Sequence, residues 1–140
     1  MPMIDVYAAA GTFRNKPALT RALNAALMKW EQVPPISWFT DNTAAFIHEM
    51  PADALANANG DSSYVRIQVL TPVGVLSREK KLGVTAEMTD IVADAAGDPS
   101  LKDRTWVQIL EAPDGGWGIA GHAYLNSEIA EEARRRLGKA

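Results

Sequence analysis

The sequence predicts an α+β fold in which two tandem β-α-β units build one four-stranded mixed sheet, with helices on one face and a further helix at the carboxyl end. Three observations predict it. The first half of the chain can be laid over the second: Val6-Tyr7-Ala8-Ala9-Ala10-Gly11-Thr12-Phe13 falls on Val69-Leu70-Thr71-Pro72-Val73-Gly74-Val75-Leu76 at an offset of 63 residues, and Thr43 to Pro51 falls on Thr105 to Pro113 at an offset of 62. Each half reads as strand, glycine turn, helix and strand, so a structural unit is repeated more faithfully than its sequence. In each half an apolar stripe at helical spacing separates two short strand-like runs, the pattern of a crossover between parallel strands.

The first strand opens at Pro2 and runs through Met3-Ile4-Asp5-Val6-Tyr7. It gives way at Gly11 to a helix from about Lys16 to Lys29, whose Leu19, Ala22, Leu23, Ala26, Leu27 and Trp30 form one apolar face. Pro17 sits in the first turn, where no amide donor is missed, and Val33-Pro34-Pro35 stops the helix. A loop from Ser37 to Asp41 leads into the second strand, Thr43 to Glu49. Residues 51–63, rich in Ala, Asn, Asp and Gly, link the two copies.

The second copy begins with the strand Tyr64 to Leu70. Ser77 caps its helix, which turns Val84, Met88, Ile91, Val92 and Ala95 inward and ends at Gly97-Asp98-Pro99. Strand four, Thr105 to Glu111, enters the turn Asp114-Gly115-Gly116-Trp117-Gly118, followed by a short strand, Ile119 to Ala123. Asn126 or Ser127 then caps a terminal helix reaching about Leu137. Residues 1–140 read as a single domain, divided into a first unit (2–51), a second unit (64–113) and a carboxyl-terminal segment (114–140). Helices on one face leave the other needing cover, and an apolar uncovered face invites association.

Composition narrows the function classes. With no cysteine there is neither a disulfide nor a thiolate metal site, and no apolar run approaches membrane-spanning length. The chain therefore reads as a soluble cytoplasmic protein. A net charge of −3 argues against a broad nucleic-acid surface. The one dense basic run, Arg134-Arg135-Arg136, ends a helix, where cations complement the dipole. The two histidines form no pair with carboxylates at ligand spacing, so no metal is expected, and no phosphate-cradling glycine loop or nucleophile elbow implies a cofactor or an acyl-enzyme.

The chemically distinctive residue is Pro2. Removal of Met1 leaves a secondary amine at the start of a buried strand. An α-amine titrates at roughly 8 in water, and desolvation lowers that value because it disfavours the ammonium, so a proton acceptor results at neutral pH. Where Met1 is kept, the Pro2 nitrogen is an amide and cannot act as a base.

These residues carry a resemblance: the duplicated β-α-β unit with an amino-terminal proline resembles the tautomerase superfamily. The chain is similar in length to the long members typified by malonate semialdehyde decarboxylase and cis-3-chloroacrylic acid dehalogenase, which place both units on one polypeptide. The resemblance implies a tautomerase/MIF-like sheet, a homotrimer, and an active site around the proline at or near a subunit boundary. It makes Pro2 the catalytic base or acid. Asp41 falls where the decarboxylase carries an aspartate, able to orient water or a substrate hydroxyl, although a capping role in Thr40-Asp41-Asn42-Thr43 is as natural. Glu111 and Trp117 fall where it has an acid and a tryptophan, with Trp117 an apolar wall or a core residue.

One departure stands out. The family's arginines for small carboxylates lie just before the second helix, where this chain has Val73, Gly74 and Leu76. Arg14, two residues beyond Thr12, Arg66 and His48 are the alternatives for an anion, against a reading of the arginines as ordinary exposed charges. His48 alternates with Phe46 and Met50 along its strand, so it points into a pocket or is a satisfied sheet histidine. His122 is a candidate polar contact. Asn42, His48, His122 or a backbone amide would polarise a substrate carbonyl oxygen.

The expected function is keto–enol proton transfer on a small carbonyl or enol compound, with Pro2 as general base and acid, and the missing arginines pointing to a neutral or largely apolar enol or phenylpyruvate-like substrate, or to a carboxylate held in an unfamiliar way. One alternative is a proline-dependent hydratase, decarboxylase or dehalogenase acting on a small unsaturated or 3-oxo acid, with Asp41 activating water. Another is a non-catalytic trimeric binding protein.

Overall fold

The computed structural model describes residues 1–138. Strand β1 (Met3–Ala9) buries Ile4, Val6 and Ala8 and turns Met3, Asp5, Tyr7 and Ala9 the other way, as the two-residue period of a strand requires. Helix α1 (Lys16–Glu31) starts where Asn15 Oδ1 accepts from the Ala18 amide at 3.1 Å. It ends at Gln32, whose left-handed φ of 57° lets its amide reach the Lys29 carbonyl. The predicted loop 37–41 contains a short helical turn, α2 (Ser37–Thr40), which buries Trp38 and Phe39. Strand β2 (Ala44–Met50) then pairs parallel to β1, with Ala44 opposite Met3.

The second copy repeats this plan. Strand β3 (Val65–Pro72) pairs antiparallel to β1, with Val69 opposite Ile4. Helix α3 (Arg78–Ala96) is capped as expected by Ser77, whose Oγ accepts from the Lys80 amide at 3.2 Å, and it stops at Gly97 with φ 62°. Strand β4 (Thr105–Ala112) lies parallel to β3, completing the order β2-β1-β3-β4. The mixed four-stranded sheet is the predicted one: two parallel pairs joined by one antiparallel contact.

The main core lies between the sheet and helices α1 and α3. Leu19, Leu23 and Leu27 of α1 and Val84, Met88 and Val92 of α3 meet Ile4, Val6, Ile67 and Val69. Each such aliphatic side chain contributes about 1.5–3 kcal/mol on burial. A second, smaller core gathers Met1, Trp38, Phe39, Trp117, Ile129 and Ala133, and so ties the amino terminus to the carboxyl-terminal segment.

Two details differ from the sequence reading. The stretch from Ile119 to Ala123 is not one strand but part of a hairpin of β5 (Trp117–Ile119) and β6 (His122–Tyr124). Its two-residue turn places Ala120 and Gly121 at φ 50° and 84°, the mirror-image turn that matches strand twist. Alanine there gives no sign in the sequence of a positive φ. Neither Asn126 nor Ser127 caps α4 (Asn126–Arg136). The cap position is Leu125, whose amide donates to Glu128 Oε2 at 2.8 Å, because Asn126 is committed to tertiary contacts.

The other face of the sheet is uncovered. It carries Phe46 and His48 of β2, Asp5 and Tyr7 of β1, Arg66 and Leu70 of β3, and Trp106 and Leu110 of β4. Phe46, Leu70, Trp106 and Leu110 are among the exposed large apolar side chains. Among the described residues, no helix is long and apolar enough to cross a membrane.

Candidate active site

Two polar side chains interrupt otherwise apolar stripes, and they meet. Glu31 continues the inward series Leu19, Leu23 and Leu27 at four-residue steps along α1, while Thr71 continues Val65, Ile67 and Val69 at two-residue steps along β3. The helical stripe faces the sheet and the strand stripe faces the helices, so both residues are fully enclosed. Thr71 Oγ1 donates to Glu31 Oε1 at 2.7 Å. The other carboxylate oxygen, Oε2, accepts from the Met1 ammonium at 2.5 Å.

This is an ion pair out of contact with water, with side-chain exposures of 1 % and 0 %. An unpaired carboxylate in such a place would cost several kcal/mol, and the ammonium and hydroxyl supply its compensation. Burial holds the pKa of the Met1 amine below its ordinary value of 8.0, and the Glu31 charge and hydrogen bond oppose that shift without reversing it.

The pair forms one wall of a partly open cavity of about 330 Å³, bordered by Phe39 of α2, by Val73 and Gly74 in the turn after β3, and by Ile129 of α4. Asn126 holds this enclosure together. Its side-chain amide donates to the Val73 carbonyl at 2.9 Å, and its backbone amide donates to Asp114 Oδ1 at 2.7 Å. Among the described residues lining the cavity there is no lysine, arginine or histidine. Among those described residues Glu31 is the only charged side chain.

No protein-family profile matches the chain, and no curated protein does. Solved structures do. The Q0 fused 4-OT, a wild-type symmetric trimer, superposes with a TM-score of 0.73 at 20 % identity, covering 91 % of this chain and 98 % of its own. N1, a member of the cis-3-chloroacrylic acid dehalogenase family, gives 0.73 at 18 % identity and covers 99 % of both chains. Pt0534, solved in a form inactivated by 2-oxo-3-pentynoate, gives 0.73 at 18 % identity over 90 % of this chain and 98 % of its own. This chain has the tautomerase-superfamily fold.

In this tautomerase-like frame, Pro2 is buried between Met1, which lines the cavity, and β1, its nitrogen bonded to Met1 and its carbonyl accepting from the Ala44 amide at 3.2 Å. Trp117 and Phe39 pack in the same small core as Met1. Asn42 lies nearby, donating to the Trp38 carbonyl at 2.9 Å and sharing with Met3, Leu70 and Trp117 a second groove of about 410 Å³. Val73 and Gly74, at the positions without arginine, line the cavity beside Met1.

The remaining candidates lie elsewhere. Asp41 is exposed at the end of α2, its Oδ1 accepting from the Thr40 hydroxyl at 3.4 Å. Glu111 pairs with Lys81 at 3.0 Å. Arg14 borders a separate groove between α1 and α3 with Asn15 and Asp94. His48 sits on the uncovered sheet face, 2.6 Å from Asp5 Oδ1 and stacked on Tyr7, over which the Arg66 guanidinium also lies. In register His48 is opposite Tyr7, four residues along β1 from Met3. His122 is exposed on the hairpin, 3.2 Å from Glu128. Trp106 stacks on Tyr64 on the sheet face, away from the cavity.

Sequence reasoning missed Glu31 and Thr71. A signal was present: an acid at the four-residue step after Leu27, where the stripe calls for an apolar residue.

Proposed function

We propose that the chain, with Met1 removed, is a proline-dependent tautomerase in which the Pro2 amine carries a proton between carbon and oxygen of a small enol or ketone. The observation that carries the reading is the burial of the amino terminus against Glu31 at the wall of an apolar cavity. The Met1 nitrogen is 2.5 Å from Glu31 Oε2, and covalent geometry sets consecutive backbone nitrogens less than about 4 Å apart, so the Pro2 nitrogen is within about 6.5 Å of that carboxylate. Loss of Met1 adds the space of a buried side chain to the cavity and turns the Pro2 amide into an amine in a poorly hydrated setting. Desolvation favours the neutral form, the form that accepts a proton.

A homotrimer belongs to this reading. The uncovered sheet face with its exposed Phe46, Leu70, Trp106 and Leu110 supports it, as does the trimeric fused 4-OT among the neighbours. Phe39 is an apolar wall of the cavity and Trp117 of the second groove, where Asn42 is the predicted polar donor. Nothing in the surroundings of Asp41, exposed as it is, favours water activation there.

One observation supports a second reading. With Met1 retained, its side chain and amine fill the site from within, and the chain is a non-catalytic binding protein. Intact-mass measurement of the native protein separates the two. The activity itself is tested by solvent-proton exchange on a panel of enols and keto acids, with the Met1-retaining chain as the blocked control. Exchange by the processed chain alone is expected; equal exchange by both overturns the proline role. As a chemical check, an uncharged ynone such as 3-butyn-2-one should add to the processed chain at Pro2, because a neutral secondary amine attacks an alkyne conjugated to a carbonyl.

A further inference from the structure

The Glu31 carboxylate has a defined division of labour. Oε1 is held by the Thr71 hydroxyl, and Oε2 is aimed at the amino terminus, where a hydrogen-bond donor sits. In the chain that keeps Met1 that donor is the Met1 ammonium; in a chain without it, a ligand group entering the same space meets the same oxygen. We infer that Glu31 is the specificity-determining residue of this cavity, accepting a hydrogen bond from an uncharged, donor-bearing substrate such as a neutral enol and excluding carboxylates. The inference rests on the proline-dependent reading for the location of the substrate, and it adds the substrate class.

Three features of the cavity point the same way. With Met1 in place the carboxylate is wholly enclosed, so removal of Met1 opens it to the cavity and to what enters the cavity. No lysine, arginine or histidine lines the cavity among the described residues, so an incoming anion finds no counter-charge there. Apart from Asn126, whose side-chain amide is bonded to the Val73 carbonyl, the remaining side chains of the wall are aliphatic and aromatic, suited to an apolar substrate body. A second carboxylate held about 5 Å from Glu31 at an effective dielectric near 20 is disfavoured on the order of a hundredfold. A hydroxyl or amide N–H at the same place gains a charge-assisted hydrogen bond instead. Thr71 is a positioning residue: its hydroxyl occupies Oε1 and leaves Oε2 for the ligand.

The test is a matched pair of non-reacting ligands, 3-phenylpropanamide and 3-phenylpropanoate, titrated into the chain lacking Met1 and into its Glu31→Gln variant, with the Val73 and Gly74 amide NMR shifts as the readout. The amide should bind at least about tenfold more tightly than the carboxylate to the parent chain, and Glu31→Gln should bring the two within about threefold. A carboxylate that binds the parent chain as tightly as the amide overturns the inference without any variant, so a poorly folding Glu31→Gln protein does not rescue it. An amide preference that survives Glu31→Gln overturns it as well. A parallel exchange assay compares an enolpyruvate with its methyl ester. Exchange without preference for the ester sinks the role of Glu31 and leaves the proline reading standing, whereas the amide preference without exchange sinks the proline reading and leaves Glu31 as the selector.

Discussion

Thr71 and Glu31 are joined by a 2.7 Å hydrogen bond across the meeting point of β3 and α1, each the polar end of an otherwise apolar stripe. The contact latches the last turn of the first helix to the second unit of the duplicated fold, and it fixes the orientation of the carboxylate at the cavity wall.

Thr71→Val keeps the shape of the side chain and removes the donor, leaving a buried carboxylate oxygen without its partner. A loss of about 1.5–3 kcal/mol is expected by urea denaturation, since hydrogen bonds to charged groups carry that range. In the Glu31→Gln background the same substitution should cost less, and a double-mutant cycle reads the difference directly. Equal costs in the two backgrounds would show that the hydroxyl does not act through Glu31.

For the Met1-retaining chain, folding lowers the pKa of the terminal amine. The unfolded amine titrates near 8.0, so just below that pH the unfolded state binds a proton that the native state partly lacks. The amine's contribution to stability is therefore complete above pH 8 and falls as pH drops through the native pKa. Glu31→Gln removes the charge that raises the amine pKa and so extends this window to lower pH. Chemical denaturation of both proteins at several pH values between about 6 and 9 checks the sign.

Gly83 of α3 lies against the Trp30 ring, and a Cβ at that position would overlap the six-membered ring. Trp30 is in turn held by Glu87, whose Oε2 accepts from its indole N–H at 2.5 Å. Gly83→Ala should destabilise by about 1–3 kcal/mol through overpacking, despite the better helix propensity of alanine. Adding Trp30→Ala should return part of that loss; a neutral or stabilising Gly83→Ala in thermal melts would contradict the close α1–α3 contact.

Leu70 and Leu110 are directly paired neighbours on the uncovered face, 37 % and 42 % exposed in the single chain. If this face is the trimer contact, Leu110→Lys places a charge in it and should convert the protein to monomer in sedimentation velocity, with far-UV circular dichroism unchanged. A trimer that tolerates the lysine places the contact elsewhere.

Much of the architecture was legible because it is local and periodic. The two-residue alternation of β1 and β3, the helical stripes of α1 and α3, Ser77 as cap and Gly97 as stop are each written within a few neighbouring residues. The offset between the halves told which strands are equivalent. The hairpin turn at Ala120 was not legible, since alanine rarely adopts a positive φ and nothing nearby demands it. The cap of α4 was misread because Asn126, a good capping residue by propensity, bonds instead to Val73 and Asp114, 53 and 12 residues away.

By itself the sequence determined the α+β duplication, the mixed four-stranded sheet and Pro2 at the head of a buried strand, because hydrophobic periodicity and turn chemistry act over short stretches of chain. Only the tertiary structure decided which acid stands at the amino terminus. Glu31 and Thr71 are 40 residues apart, and a buried carboxylate is set by what surrounds it in space. The same physics separated the candidates: Asn42 and Trp117 come to the end of the sheet that carries Pro2, while Arg14, His48 and His122 are carried by their elements to other surfaces.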